Sequence, residues 1–274
     1  MLIWLLPGLF CTVFFIYLIM IMPNMSHKQE LTPFLGKSYA HRGLHDAKNL
    51  IPENSMPAFK NAVKQNLSIE LDIHLTKDHQ IVVFHDESLK RICHSEGTVE
   101  ASTYAELKRL RLMGTSERIP LLSEVLEYIN GRVPLLIELK LPSRDMRLCA
   151  FAWELLKNYP GPFMVQSFNS LGIRWFSKNA PHILRGQLSS ALTRSNSSDP
   201  LPARFLVEHL LTNLFCKPDF ISYKMADSRN LSLWLNQKLF HAPVAVWTLR
   251  DAKSYAEARR KFDMYIFEGS YTRS

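Results

Sequence analysis

The sequence predicts an eight-stranded parallel α/β barrel (a TIM barrel) with one projecting β-hairpin, preceded by one N-terminal transmembrane helix. Three features of the 274 residues support this fold: an uncharged apolar stretch at the start, short apolar runs that alternate with amphipathic segments, and two runs too close together for a crossover helix. Hydrophobic residues make up 47% of the chain, which excludes a disordered protein.

A transmembrane anchor is expected over residues 1–23, because Leu2 to Met22 contains no charged side chain. At about 1.5 Å per helical residue, this stretch reaches across the roughly 30 Å of a bilayer core. Lys28, Lys37 and Arg42 follow the stretch and no basic residue precedes it, which favours a single-pass anchor with the globular domain in the cytoplasm. The lack of a small-residue cleavage site argues against a signal peptide.

A polar linker is expected over residues 24–37, and one barrel domain over residues 38–274. Nine apolar runs have the length and composition of strands: SYAH, SIELDIHL, IVVFH, VPLLIELK, FMVQSF, ILRGQL, DFISY, PVAVWTL and MYIFE. Helix-like segments lie between most of them: Ser55 to Gln65, Thr103 to Leu110, Leu122 to Ile129, Arg147 to Tyr159, Ser170 to Asn179, Pro202 to Phe215, Ser232 to Phe240 and Ala252 to Phe262.

One of the nine runs must belong to a hairpin. Between Asp72 and Ile81 there is no room for a crossover helix, so the second and third runs are expected to pair as antiparallel strands around Asp78. The remaining eight runs are far enough apart to be parallel, as in a (β/α)₈ barrel. A doubly wound open sheet is the alternative, but the glycine-rich phosphate loop that usually accompanies it is absent.

The formal net charge of +8 is compatible with nucleic acid, an anionic membrane surface or anionic substrates as partners. No nucleic-acid recognition motif is present, so nucleic acid is not expected as a partner. On an anchored protein, attraction to an anionic leaflet explains the charge more simply. The four cysteines show no CxxC spacing and predict neither a disulfide framework nor a zinc site.

Three acidic residues on predicted strands suggest a metal site. Glu70 and Asp72 share one face of their strand because side chains alternate along a strand, and Glu138 lies near the end of another. Isolated buried carboxylates are costly, and a hard divalent cation with oxygen ligands, Ca²⁺ or Mg²⁺, removes that cost. The alternative is that these are surface carboxylates, or that they pair with Lys140 and Arg42.

Two histidines are expected at the same rim of the barrel. His41 ends the first strand and His85 ends the returning strand of the hairpin. His74 is interpreted as either structural or close to the substrate, and a structural role is favoured. Two imidazoles, an acidic metal site and the cations Arg42 and Lys140 suit phosphodiester cleavage. In that chemistry the cations offset charge on phosphate, one histidine removes a proton, and the other protonates the leaving alkoxide.

The chain resembles the glycerophosphodiester phosphodiesterase family. The motifs that carry this resemblance lie mostly between residues 38 and 170: HRG at 41–43, PENS at 52–55, ELD at 70–72, LTKD at 75–78, VVFHD at 82–86, IPLLSEVL at 119–126, IELK at 137–140 and QSF at 166–168. The resemblance implies a TIM barrel, one divalent cation, and hydrolysis of glycerophosphodiesters to glycerol 3-phosphate and an alcohol.

Carried over to matching positions, the resemblance implies a role for each of eight residues. It implies that His41 and His85 are the acid and base, that Arg42 and Lys140 contact the phosphate, and that Asn54 supports the groups around it. The implied metal ligands are Glu70, Asp72 and Glu138. Trp247 is a candidate wall of the substrate pocket, with a core position as the alternative.

The resemblance weakens after residue 170. The family typically has W-T-V-N where this chain has Trp247 to Arg250, and D-G-I-I-T-D where it has Asp263 to Glu268. These changes concern the side of the pocket expected to hold the leaving group.

Two other functions stay open from the sequence. Cleavage of lysophospholipids would suit an enzyme held at a bilayer, and an inactive membrane-tethered scaffold would suit the changed C-terminal motifs. The residues also leave open which cation is used (Ca²⁺, Mg²⁺ or Mn²⁺), which histidine is the acid, the head group of the substrate, and the oligomeric state.

Overall fold

Eight parallel strands close into a barrel in the computed structural model, which describes residues 2–195 and 199–269, and of residues 2–6 only the backbone. The first strand pairs with both the second and the last, which closes the sheet. This closure confirms the predicted barrel and excludes the open doubly wound sheet. The strands are β1 (Ser38–His41), β2 (Ser68–Leu75), β3 (Ile81–Val83), β4 (Leu135–Leu139), β5 (Phe163–Ser167), β6 (Arg185–Ser189), β7 (Phe220–Lys224), β8 (Val244–Leu249) and β9 (Met264–Phe267).

The predicted hairpin is confirmed. Strand β3 pairs with β2 in the antiparallel sense, with Ile73 opposite Val83 and Leu75 opposite Ile81. The connecting turn closes where the Thr76 N–H donates to the Gln80 carbonyl at 2.9 Å. Strand β3 therefore lies outside the eight-stranded barrel and projects from its rim.

The helices cover the outside of the barrel close to the predicted positions. They are α1 (Leu2–Ile21), α2 (Met56–Lys64), α3 (Lys90–Cys93), α4 (Tyr104–Leu107), α5 (Leu122–Ile129), α6 (Arg147–Leu156), α7 (Ser170–Asn179), α8 (Leu201–Glu208), α9 (Asn213–Cys216), α10 (Leu231–Leu239) and α11 (Ala252–Lys261). The single helix expected over residues 202–215 was wrong, because Leu210 adopts a left-handed conformation (φ 56°) that ends α8 and separates it from α9.

Alternation along the strands divides the barrel into two chemical layers. At the amino-terminal end, large apolar side chains fill the interior, among them Tyr39, Leu136, Met164 and Phe220. Two residues further along a strand, the next inward side chain is polar on several strands: His41 follows Tyr39 on β1, Glu138 follows Leu136 on β4 and Gln166 follows Met164 on β5. The functional layer therefore lies at the carboxyl ends of the strands, where barrel enzymes hold their active sites.

The segment expected as a polar linker contributes two side chains to the barrel interior. Leu31 is fully buried and Phe34 is 4% exposed, and both pack in the apolar layer at the amino-terminal end. The hydroxyl of Tyr39 in this layer donates to the Phe34 carbonyl at 3.2 Å. Residues 31–34 thus close the bottom of the barrel.

The carboxyl-terminal part of α1 packs against the barrel. The Asn213 side chain donates to the Ile21 carbonyl at 2.8 Å, and the hydroxyls of Tyr17 and Ser232 lie 2.8 Å apart. Among the residues that the structure describes, no helix has the combination of length and apolar character needed to cross a bilayer. The transmembrane span expected over residues 1–23 is therefore not confirmed.

Candidate active site

An open pocket lies at the carboxyl ends of the barrel strands, with a volume of about 150 Å³. This volume is below the roughly 300–1,000 Å³ of pockets that enclose drug-sized ligands, so the pocket suits a small molecular fragment. One side of its wall is charged and the other is apolar. The wall consists of His41, Arg42, Glu70, His85, Glu138, Lys140, Gln166, Phe168, Leu188, Trp247, Thr248, Arg250 and Ile266.

The three predicted metal ligands form one cluster. Glu70, Asp72 and Glu138 each offer a carboxylate oxygen, and these oxygens all lie within 4.8 Å of one another. Parallel pairing of β2 with β4 sets Asp72 directly opposite Glu138, and Glu70 lies two residues earlier on the same face. All three are buried, and their oxygens are the donors that a hard divalent cation prefers. The cluster therefore fits one such cation.

Two cations offset part of the negative charge of this cluster. The Lys140 ammonium lies 2.9 Å from Asp72 and 2.5 Å from Glu138, and Arg42 Nε lies 3.7 Å from Asp72. Burial alone would lower the pKa of Lys140, but Asp72 and Glu138 together raise it, so its ammonium stays charged. Burial alone would raise the pKa of Asp72, whereas Lys140, His85 and Arg42 hold it well below its usual range.

Glu70 differs from its two neighbours because no cation lies as close to it. Burial, together with the charges of Asp72 and Glu138, raises its pKa well above the ordinary value. The Arg42 backbone N–H donates to Glu70 Oε2 at 3.1 Å, and the Gln166 amide nitrogen lies 3.5 Å from Oε1. Ionisation of Glu70 is therefore disfavoured in the absence of a cation, and a bound cation would relieve this cost.

A strained turn after β1 presents Arg42 to the pocket. Arg42 and Gly43 both have positive φ values (59° and 79°), and such a conformation is costly for arginine. Glycine is required at position 43, since a Cβ there would lie 2.9 Å from the Cβ of Ala58. Glu53 accepts a hydrogen bond from Arg42 Nη1 at 2.7 Å and so fixes the guanidinium.

Asn54 lies behind the carboxylate cluster and supports it. Its backbone is also left-handed (φ 51°), and its side-chain amide donates to Asp72 Oδ2 at 2.8 Å. The following residue, Ser55, caps helix α2 through its hydroxyl, which accepts from the Ala58 N–H. The PENS segment thus both begins a helix and orients Asp72.

His41 is held by a carboxylate that the sequence analysis did not assign. Its Nδ1 donates to Glu268 Oε1 at 2.6 Å, and the other oxygen of Glu268 accepts from Arg250 Nε at 2.8 Å. Burial opposes ionisation of Glu268, but His41 and Arg250 together lower its pKa to about 2. His41 Nε2 is thereby turned toward the cluster, 3.9 Å from Glu70.

His85 has an equivalent arrangement on the other side. Its Nδ1 lies 2.6 Å from Asp86 Oδ1, and Arg91 Nε donates to Asp86 Oδ2 at 2.6 Å. The two Nη atoms of Arg91 also donate to Glu53, at 2.9 and 2.7 Å. Each histidine therefore has a carboxylate at Nδ1 and an arginine behind that carboxylate, which leaves Nε2 as the reactive nitrogen.

His74 has the structural role expected of it. Its Nδ1 lies 2.5 Å from Glu100, and its Nε2 lies 3.1 Å from the backbone carbonyl of His85. The side chain is 2% exposed and does not line the pocket. His74 therefore braces the hairpin and the backbone of His85.

Trp247 lines the pocket and also packs against the apolar layer of the barrel interior. Its ring packs edge-on against Phe168, with the ring centroids 5.8 Å apart. Two buried polar atoms of pocket-lining residues, Trp247 Nε1 and Gln166 Oε1, form no hydrogen bond with the described part of the chain. They leave one donor and one acceptor for hydroxyl groups of a bound molecule.

The structure brings all nine predicted site residues to the same end of the barrel. Seven line the pocket, while Asp72 and Asn54 lie directly behind it. The residues that sequence reasoning did not assign to the site are Glu53, Asp86, Arg91, Gln166, Phe168, Arg250 and Glu268. Two signals could have found some of them: Asp86 directly follows His85, and Glu268 has the same strand parity as Ile266, which faces the barrel interior.

Comparison with known proteins identifies one family. The model of the glycerophosphoryl diester phosphodiesterase family matches residues 41–266. The chain is 37% identical over 161 residues to a glycerophosphodiester phosphodiesterase of Caldanaerobacter subterraneus subsp. tengcongensis, which covers 54% of this chain and 65% of that protein. It is 35% identical over 156 residues to a human lysophospholipase D, covering 52% and 48% respectively. These matches span between about half and just under two thirds of each relative.

The fold is also similar to solved structures. A phosphodiesterase from Oleispira antarctica, in complex with the product sn-glycerol-3-phosphate, superposes with a TM-score of 0.69 at 25% identity over 85% of this chain and 93% of that one. A glycerophosphodiester phosphodiesterase from Parabacteroides distasonis superposes with a TM-score of 0.66 at 22% identity, over 84% and 92%. The similarity thus extends over most of the barrel.

Proposed function

The chain belongs to the glycerophosphoryl diester phosphodiesterase family, and we propose that it hydrolyses glycerophosphodiesters to glycerol 3-phosphate and an alcohol with the help of one divalent cation, Ca²⁺, Mg²⁺ or Mn²⁺. The observation that supports this most strongly is the composition of the pocket. Two histidines, each oriented by its own carboxylate, share one wall with two cations and with oxygens of a carboxylate cluster that fits a divalent ion.

In the proposed reaction, the chain positions the phosphate and moves two protons. Arg42 and Lys140 bind the anionic phosphate oxygens, and Glu70, Asp72 and Glu138 hold the cation, which supplies charge stabilisation for the phosphoryl group when bound. One of His41 and His85 takes a proton through Nε2 from the attacking oxygen, which forms a new bond to phosphorus and belongs either to water or to a glycerol hydroxyl; in the second case water then opens the cyclic phosphate. The other gives a proton to the leaving alkoxide, so that the P–O bond breaks with a neutral alcohol as product.

The glycerol end of the substrate is assigned to the apolar wall. Trp247 Nε1 and Gln166 Oε1 are unpaired among the described residues and can bond glycerol hydroxyls. Leu188 and Ile266 line the same pocket and are 2% and 1% exposed, so they contact the carbon skeleton rather than the charged phosphate.

A second candidate activity is cleavage of lysophospholipids, which the similarity to a human lysophospholipase D favours. The pocket is open and has room for only a small fragment, so an acyl chain would lie outside it. The reacting phosphodiester would then sit as in the first proposal, but the acyl chain, which is esterified to the glycerol, would have to leave the pocket past the glycerol end.

One experiment separates these activities from each other and from an inactive scaffold. The purified chain is incubated with glycerophosphocholine or with lysophosphatidylcholine, in EDTA and with each of the three cations, and choline release is measured. Faster release from glycerophosphocholine supports the first proposal, whereas release only from the lysolipid supports the second. A folded protein that releases no choline under any of these conditions, and no glycerol 3-phosphate from glycerophosphoserine or glycerophosphoethanolamine, would indicate an inactive scaffold.

We also propose that α1 attaches the barrel to a membrane, with the barrel on the cytoplasmic side. Seven large apolar side chains of this helix are 41–72% exposed: Leu9, Phe10, Val13, Phe14, Phe15, Ile16 and Ile19. Seven large exposed apolar side chains on one helix are typical of contact with a lipid or protein partner. If the proposal holds, the chain sediments with membranes and a variant lacking residues 1–22 does not; recovery of the intact chain in the soluble fraction would contradict it.

A further inference from the structure

Arg250 is the one cationic side chain of the pocket wall, among the described residues, that is mostly exposed. Its side chain is 65% exposed, whereas those of Arg42 and Lys140 are 15% exposed. The two buried cations are engaged by the carboxylates of Glu53, Asp72 and Glu138. Arg250 instead stands at the mouth, where the pocket meets solvent.

Glu268 holds the Arg250 guanidinium at its Nε side. Its Nε donates to Glu268 Oε2 at 2.8 Å, and the other oxygen of Glu268 is occupied by His41 Nδ1. No other described residue forms a hydrogen bond or ion pair with the two Nη atoms. Their four N–H groups therefore form a planar donor edge, which matches the geometry of a carboxylate or a similar anion.

The leaving group of a glycerophosphodiester has to pass the exposed guanidinium of Arg250. The phosphate must lie between the histidines and the carboxylate cluster, and the pocket of about 150 Å³ leaves little enclosed space beyond the glycerol 3-phosphate part. The alcohol, which is the variable part of these substrates, consequently extends toward the open side. A cation there attracts an anionic leaving group and repels a cationic one.

We infer that Arg250 determines specificity by binding a carboxylate on the leaving alcohol, so that diesters whose head group carries a carboxylate are preferred over those with a purely cationic head group. This inference rests on the proposed hydrolysis and names the substrate class for the same pocket. The competing arrangement is a cationic head group over the faces of Phe168 and Trp247, which line the same pocket.

Two substrates that differ by a single carboxylate test the inference. Glycerophosphoserine and glycerophosphoethanolamine are compared by kcat/KM in the wild type, in Arg250→Gln and in Arg250→Lys. The control variant is Lys253→Gln, because Lys253 is an exposed cation in the first turn of α11 that does not line the pocket. Loss of the Arg250 contact with Glu268 affects His41 for both substrates equally, so the ratio of the two kcat/KM values isolates the contact with the head group.

The wild type is expected to prefer glycerophosphoserine, and Arg250→Gln is expected to lower that ratio about fivefold, the size expected for one exposed charge pair. Arg250→Lys should retain part of the preference, because the charge stays and the planar edge is lost, and Lys253→Gln should retain all of it. Equal ratios in the wild type and Arg250→Gln, or a preference for glycerophosphoethanolamine, would overturn the inference while leaving the proposed hydrolysis intact. Failure of the wild type to cleave either substrate would overturn both.

Discussion

Replacement of Glu70 by Gln separates charge repulsion in the carboxylate cluster from cation binding. Gln has the same shape, and its amide oxygen can still accept the Arg42 N–H that bonds Glu70 Oε2 at 3.1 Å. The variant removes one negative charge from three carboxylates whose oxygens lie within 4.8 Å of one another. It also removes one of three proposed ligands, so its effects on stability and on cation binding have opposite signs.

The size of the expected stability difference follows from the spacing of the carboxylate oxygens. Two unit charges separated by 4.8 Å repel by about 3.5 kcal/mol at an effective dielectric constant of roughly 20. Lys140 and Arg42 offset part of this repulsion, and the raised pKa of Glu70 lets it take up a proton instead. In EDTA, at a pH where Glu70 has lost this proton, Glu70→Gln should therefore be more stable than the wild type by about 1–3 kcal/mol, or roughly 2–10 °C in Tm.

The assay is thermal unfolding with EDTA and with saturating Mg²⁺, Ca²⁺ or Mn²⁺. The wild type should gain stability on addition of at least one cation, because a ligand that binds only the folded state stabilises it, and Glu70→Gln should gain little. Glu257→Gln is the control, since Glu257 lies in a surface pair with Lys261. A variant less stable than the wild type in EDTA, or one with an undiminished cation effect, would refute the reasoning.

Three further outcomes are expected. The raised pKa of Glu70 means that the folded cation-free chain keeps a proton that the unfolded chain releases above about pH 4.5, so the stability of the cation-free chain falls as pH rises above that value. The Tm gain from a cation should accordingly grow between pH 5 and pH 8. A constant Tm gain over this range would contradict the prediction. Asp86→Asn and Glu268→Gln should each lower kcat by about 10²–10⁴-fold with an unchanged circular dichroism spectrum, because the Asp86 and Glu268 carboxylates each orient one catalytic histidine. Full activity of either variant would show that its contact with the histidine is dispensable. Gly43→Ala should lower the denaturant midpoint of unfolding more than Gly36→Ala. Both glycines have positive φ, but only a Cβ at position 43 would meet another atom, at 2.9 Å. Equal decreases of the midpoint in the two variants would exclude this clash.

Strand parity explains how much of the fold and of the site could be predicted. The alternation in SIELDIHL assigns Glu70 and Asp72 to one face before any contact is known, and the short gap after it requires a hairpin. The pairing of β2 with β4 then brings Glu138 opposite Asp72. These residues were predictable because their positions depend on local periodicity and on the general rule that barrel sites lie at the carboxyl ends of strands.

The residues that escaped prediction are placed by contacts distant in sequence. Arg91 reaches Glu53 across 38 positions, and Glu268 reaches His41 across 227, so neither pair has a local pattern. The closure of the barrel bottom by Leu31 and Phe34 is similar, because two apolar side chains in a polar segment gain their role only when the barrel forms around them. Periodicity carries no information on such pairings.

The central claim is cation-dependent cleavage of a glycerophosphodiester by the two-histidine pocket. The most direct test is the release of glycerol 3-phosphate from glycerophosphoethanolamine and glycerophosphoserine, measured for the wild type in EDTA and with each cation, and for folded His41→Ala and His85→Ala variants. The account predicts release by the wild type only with a divalent cation, and loss of release in both variants. Release that persists in EDTA or in the variants, or no release by the folded wild type with any cation, would contradict it.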